Sequence, residues 1–253
     1  MSGHNKWSTI KRKKGALDAK RSKIFSRIVK EIQVAVREGG SDPDGNPRLR
    51  LAIQNAKGVN MPKENIERAI NRASSDGANL QEATFEGYAP NGVALFIECL
   101  TDNNLRTVGA VRSIFNKKGG TLGTNGSLNF IFDHKGVFTI KKGNFNVEEF
   151  ELEMIDAGID DIEDDDDRLT LYCKKENFGS VQKKLESMKI VPENAELQRI
   201  PNTFKKLDAE SALKVLKMIE EFEELDDVQN VFHNLEMTDD LMNILEKQVN
   251  SNK

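Results

Sequence analysis

Long apolar runs are missing from this chain. Its longest uninterrupted stretch is residues 93–97, far short of the roughly 20 residues needed to span a bilayer, so no membrane partner is expected. Cysteine is scarce too. Cys99 and Cys173 sit 74 residues apart among apolar, strand-like neighbours. That spacing fits neither a zinc site nor a redox pair, so buried free thiols in a reducing compartment are expected. The three histidines, His4, His134 and His233, are scattered, with no HExxH, no serine nucleophile elbow and no Cys/His pairing. Those absences leave no catalytic residue, no metal site, no cofactor and no small-molecule substrate to assign, and the chain reads as non-enzymatic. No apolar h-region follows the first charges, and Gly3, Trp7 and Gly15 interrupt the basic start in a way unlike a transit peptide. A cytoplasmic protein is expected.

Acidic residues are nearly absent from the N-terminus, and that absence is the most informative. The first 30 residues contain ten cations (Lys6, Lys11, Arg12, Lys13, Lys14, Lys20, Arg21, Lys23, Arg27 and Lys30) against the single acid Asp18. Residues 1–75 hold 17 basic and 7 acidic side chains, and the remaining 178 hold 20 and 34. A basic arm on an acidic body is the electrostatic arrangement of a protein that docks on a polyanion, and nucleic acid is the expected partner.

At 253 residues the chain exceeds one ordinary domain. Over 18–37, Phe25, Ile28, Val29, Ile32 and Val36 recur at helical spacing. Lys20, Lys23, Arg27 and Lys30 fall on the opposite side of that helix at about 100° per residue. Gly39-Gly40 stops the helix, Asn46-Pro47 reads as the N-cap and first position of a second, and Asn60 and Pro62 open a third. Strands are expected at 84–89 and 93–101 around Pro90-Asn91-Gly92. A helix over 105–118, a glycine-rich loop at 119–126 and a strand at 128–132 follow. From 134 the order is strand, helix, strand, strand, helix, strand, which is ferredoxin-like. A helix at 208–224 and a strand at 228–232 then complete the earlier sheet. The fold class is α+β with three domains. They are a basic helical domain (1–80), a middle α+β domain (81–133 with 201–253) and an inserted ferredoxin-like βαββαβ domain (134–200).

The glycines and hydroxyls of 119–126 could cradle a phosphate but lack the Lys-Ser/Thr ending of a P-loop. The acidic run 163–167 lacks the spacing of a calcium loop and sits where a hairpin turn is expected. Trp7 is a candidate to stack on a base. Arg106, Arg112, Lys117 and Lys118 form a second, smaller set of candidate nucleic-acid contacts.

Several motifs resemble the YebC/PmpR family. They are Gly3-His4-Asn5-Lys6-Trp7, Asp18-Ala19-Lys20-Arg21, Asn46-Pro47-Arg48-Leu49-Arg50, Asn60-Met61-Pro62, and Glu86-Gly87-Tyr88 with Gly92-Val93-Ala94. To these are added Glu98-Cys99-Leu100-Thr101-Asp102-Asn103 and Gly119-Gly120-Thr121-Leu122-Gly123. The similarity begins at Met1 and is sharpest through about residue 132. The resemblance implies a three-domain α+β protein whose basic helical domain binds nucleic acid, through Lys6, 11–14 and 20–30 here. It implies a probable DNA-binding transcriptional regulator. The alternative is a translational activator acting with the ribosome and its RNA through the same surface. Where the family often has a further arginine after Asp-Asn, this chain has Asn104, leaving Arg106.

Overall fold

The computed structural model describes residues 18–76, 79–143, 146–165 and 167–251. In chain order these form α1 (Asp18–Gly39), α2 (Pro47–Gly58), α3 (Lys63–Asp76), β1 (Gln81–Ala89), β2 (Val93–Thr101), α4 (Asn104–Lys117), β3 (Thr121–Leu122) and β4 (Phe132–Lys141). There follow α5 (Val147–Asp156), β5 (Ile159–Asp165), β6 (Arg168–Lys174), α6 (Phe178–Ser187), β7 (Asn194–Pro201), α7 (Ala209–Glu223), β8 (Val228–His233) and α8 (Asp239–Ser251). The expected mixture of helix and sheet is present, with two four-stranded sheets. The chain divides into two compact units, and the division falls inside α1, between Lys30 and Glu31.

The first unit takes in residues 18–30, 79–133 and 200–251 and contains the sheet ordered β3-β1-β2-β8. The β1–β2 hairpin closes through Asn91 and Gly92 at φ 63° and 77°, left-handed backbone that Asn and Gly adopt at least cost. Strand β2 is buried on both faces. Val93, Leu95, Ile97 and Cys99 join a core with Val111, Phe115, Val215, Ile219 and Phe222 from α4 and α7. Ala94 and Phe96 enter a smaller cluster with Leu128, Ile131, Phe132 and Phe232. Alternate residues of a strand face opposite sides, so a strand covered on both sides needs an unbroken apolar run. That is why 93–97 exists.

Two expectations for this unit need correction. The segment 128–131 is a run of tight turns, not a strand, with Ile131 N donating to Leu128 O at 2.9 Å and Asn129 N to Gly126 O at 3.4 Å. Its buried residues Leu128, Ile131 and Phe132 are spaced three and four apart, a turn signature rather than an alternation. The C-terminal helix α8 was not anticipated from the sequence. Its signal was Thr238, whose hydroxyl accepts from Leu241 N, ahead of apolar Leu241 and Leu245, both buried.

The second unit takes in residues 31–76 and 134–199. Its sheet is ordered β5-β6-β4-β7, with the first and third strands of the βαββαβ unit central, as the ferredoxin-like reading requires. Helices α5 and α6 cover one face through Phe150, Met154, Val181 and Leu185. The edge strand β7 is met by α2. Asn55 acts as a short strand partner, its Nδ2 donating to Ala195 O at 2.9 Å and its Oδ1 accepting from Ala195 N at 3.0 Å. Gly58 makes that approach possible, since a Cβ there would lie 1.9 Å from Glu193 O.

Asn46 holds the leading helices of this unit together. Its Oδ1 caps α2 by accepting from Leu49 N at 3.0 Å, and its Nδ2 donates to Ala35 O and Gly40 O at 2.7 and 2.8 Å. The side chain is buried, so Asn46→Ala removes a cap and strands two carbonyls. The variant is expected to lose about 2 kcal/mol of unfolding free energy. An unchanged urea midpoint would show that these three bonds carry no stability.

Candidate nucleic-acid interface

Of the cations expected to grip phosphate, Lys6, Lys11, Arg12, Lys13 and Lys14 lie outside the described residues, as does Trp7. Lys20 stands in the first turn of α1. Arg21 is exposed, with its guanidinium 5.4 Å from the centroid of the Phe25 ring, a cation–π distance.

The rest of the row meets protein. Lys23 Nζ donates to Glu224 O at 2.5 Å and to its Oε2 at 2.6 Å. Arg27 Nη2 donates to Glu223 O at 3.0 Å. Lys30 Nζ reaches Asp226 O at 2.9 Å, and Leu100 O and Asp227 Oδ1 at 3.2 Å each. Glu223 is the last residue of α7 and Glu224 its C-cap. A helix C-terminus leaves its final carbonyls unpaired and carries the negative end of the dipole, so three cations spaced along α1 are a fitting cap. Periodicity puts these residues opposite the packed stripe. It cannot show that an acidic turn from nearly 200 residues later covers them.

Asp227 is the focus of that turn. Arg106 Nη2 donates to its two carboxylate oxygens at 3.0 and 2.8 Å, and the hydroxyls of Thr107 and Thr101 lie 2.8 and 3.2 Å from Oδ2. Burial, the largest influence, pushes the Asp227 carboxyl up. The hydrogen bonds from Arg106, Thr107 and Lys30 outweigh it and hold the group below the usual carboxylate range. Asp227 is the residue that sequence reasoning missed, because Leu225-Asp226-Asp227 reads locally as an ordinary turn. Beside it, burial and then the Asp227 charge push the Cys99 thiol up to about 12. Burial likewise pushes Cys173 up to about 11. Neither is a thiolate at neutral pH, in keeping with buried free cysteines.

The secondary candidates divide in the same way. Arg106 is committed to Asp227 and, at 2.8 Å, to Asp102. Lys118 pairs with Glu221 at 2.5 Å. Arg112 and Lys117 are exposed on α4.

The glycine-rich loop has an anion already. The buried Glu86 carboxylate accepts from Gly126 N at 2.6 Å and Leu128 N at 2.7 Å, while Gly123 N donates to Glu86 O at 2.7 Å. Three backbone donors that a phosphate could use, Gly123 N, Gly126 N and Leu128 N, are spent within the fold. In the acidic run, Asp164 pairs with Lys142, and Arg168 bonds Asp167 and Glu193 at 2.7 Å each. Among the described residues no group of three or more His, Cys, Asp or Glu is placed to hold a metal ion, and no helix is long and apolar enough to cross a membrane.

These features define an α+β protein whose leading helix is clamped by its own acidic turn and whose strongest charge lies ahead of that helix. Residues 5–76 match the TACO1/YebC protein N-terminal domain and residues 80–235 match the TACO1/YebC second and third domain. The chain belongs to the TACO1/YebC family. It is 50% identical over 239 residues to a probable transcriptional regulatory protein of Amoebophilus asiaticus, covering 93% of this chain and 98% of that one. A probable transcriptional regulatory protein of Geotalea uraniireducens is 47% identical over 244 residues, with 96% and 98% covered. A crystal structure of a conserved hypothetical protein from Aquifex aeolicus superposes with a TM-score of 0.76 at 40% identity, over 87% of this chain and 91% of that one.

Proposed function

We propose that this chain is a non-enzymatic, cytoplasmic regulator of gene expression that binds nucleic acid through its basic N-terminal domain. The segregation of charge carries this reading: 17 basic against 7 acidic side chains in residues 1–75, on a body of opposite sign. The names of its relatives support regulation of transcription, and on that reading DNA is the polyanion. Six cations are assigned to the grip once Lys23, Arg27 and Lys30 are given to the 223–227 turn and Arg21 to the Phe25 ring. They are Lys6, Lys11, Arg12, Lys13, Lys14 and Lys20. Arg112 and Lys117 form a smaller second surface. The 81–133 with 201–253 domain and the 134–200 domain, both acidic, are held off the polyanion by repulsion.

A second reading keeps the grip and changes the target to structured RNA on the ribosome. The clamp on α1 favours it, because a helix whose basic side rests on its own protein does not enter a major groove as a recognition helix does. A basic arm that reads shape and phosphate suits folded RNA. Sedimentation of a DNase-treated lysate, with Lys11, Arg12, Lys13 and Lys14 reversed to Glu in a parallel strain, separates the two. Co-migration with ribosomal particles that the variant loses establishes translation. If the wild type stays at the top of the gradient and shifts duplex DNA, transcription stands. Binding to neither polyanion overturns the proposal.

A further inference from the structure

Two phenylalanines of the first unit stand in water. Phe130 is 71% exposed and Phe204 is 45% exposed. Leaving a Phe side chain out of a core forgoes its burial energy, yet both belong to segments that are firmly held. The turn carrying Phe130 is pinned by the Glu86 carboxylate through Gly126 N and Leu128 N, and Leu128 and Ile131 are buried on either side of it. The segment carrying Phe204 is strapped to that turn, with Asn202 Nδ2 donating to Phe130 O at 3.0 Å and Asn202 N to Ile131 O at 2.9 Å. On its other side Lys205 N donates to Asn234 O at 2.7 Å, and Glu236 N donates to Lys205 O at 2.9 Å. The two rings are therefore presented from adjoining, hydrogen-bonded loops.

The sequence stretches that carry them lack acids. In a chain with 41 acidic residues, positions 103–132 contain none, and Arg112 and Lys117 within them are exposed. Positions 200–207 also contain none and include Lys205 and Lys206, both exposed. Positions 103–132 are the longest stretch of the chain without an acid. Exposed aromatic rings beside unopposed lysines are how single-stranded nucleic acid is held: bases stack on the rings and the backbone lies along the cations. A docking surface for an acidic or purely apolar protein segment would not require both.

We propose that Phe130 and Phe204, with Lys205 and Lys206, form a second nucleic-acid site that stacks unpaired bases, distinct from the N-terminal phosphate grip. The site rests on the reading of the chain as a nucleic-acid binder and supplies what the grip lacks, discrimination of single strands from duplex. The test uses the full chain with Phe130→Ala and Phe204→Ala, singly and together, and labelled oligothymidylate, oligouridylate and duplex DNA of about 12 nucleotides, a usual single-strand site size. Each ring is expected to contribute about 5- to 150-fold to single-strand affinity, the range that stacking one base represents. Duplex affinity is expected to stay unchanged and the thermal unfolding midpoint to move little, because Phe130 lies mostly in solvent and Phe204 about half so. A larger loss for the ribo-oligomer identifies RNA as the natural strand, and a larger loss for the deoxy-oligomer identifies DNA. Variants that bind single strands as the wild type does overturn the stacking site and leave the N-terminal grip standing. A wild type that binds neither single strands nor duplex, at low salt, overturns both.

Discussion

Lys30→Glu is expected to lower the unfolding free energy by about 3–5 kcal/mol, the loss that follows when one partner of a buried ion pair is removed. The Lys30 and Asp227 side chains are only 21% and 11% exposed. Reversal puts a second carboxylate against Asp227 and leaves the carbonyls of Leu100 and Asp226 facing negative charge. The neighbouring positions grade the effect. Arg27→Glu loses a helix C-terminal contact of about 0.3–1 kcal/mol, and Lys23→Glu loses a more exposed pair worth at most about 1 kcal/mol. A series of urea midpoints checks the order. Equal effects at the three positions would show that the row acts as diffuse charge rather than through Asp227. The pH dependence follows from the depressed Asp227 carboxyl. Its stabilisation is complete above the unfolded carboxylate value of about 3.9 and disappears as pH falls through the lower, folded value. Asp227→Asn is expected to cost stability at neutral pH and to flatten that acid limb.

Nucleic-acid affinity is expected to fall about 10³- to 10⁵-fold between about 50 and 200 mM salt, as it does for proteins that neutralise about 6–10 phosphates. Six cations in the grip give a slope of log affinity against log salt of about −5 on duplex DNA. Reversing Lys11, Arg12, Lys13 and Lys14 leaves two, and the slope should shrink to about −2. Neutralising Lys23 or Arg27 should leave it unchanged, since both side chains are already engaged within the fold. Titrations at several salt concentrations decide the matter. A flat dependence in the wild type removes the polyanion grip altogether.

The contrast between these experiments reflects what local sequence can and cannot specify. Helix α1, the Asn46 cap, the Asn91-Gly92 turn and the strand order of the second sheet are readable, because periodicity and turn chemistry act over a few residues. The partners of Lys23, Arg27 and Lys30 are not, because Glu223, Glu224 and Asp227 arrive only after another sheet has been built. Glu86 is hidden in the same way. Within β1 it looks like one polar residue of an alternating strand, yet its carboxylate organises a loop 40 residues on. The turn at 128–131 misled because Leu128, Ile131 and Phe132 are apolar enough for a strand, and their spacing, not their composition, carried the information. Charge content marked the N-terminal segment correctly as unusual. It could not show which of those cations cap a helix.

The pairing of β2 with β8 also has a consequence in time. Leu95 lies opposite His233 and Phe96 opposite Phe232, so the most apolar strand in the molecule has one neighbour encoded far downstream. At a synthesis rate of about 5–20 residues per second, the far edge of β2 waits on the order of 10 s for β8, while the whole second sheet is made. During that wait the edge presents unpaired backbone groups and apolar side chains, the combination that recruits strands from other chains. Slow assembly of β4 to β7 would therefore appear first as aggregated nascent protein, in molecules whose finished stability is normal.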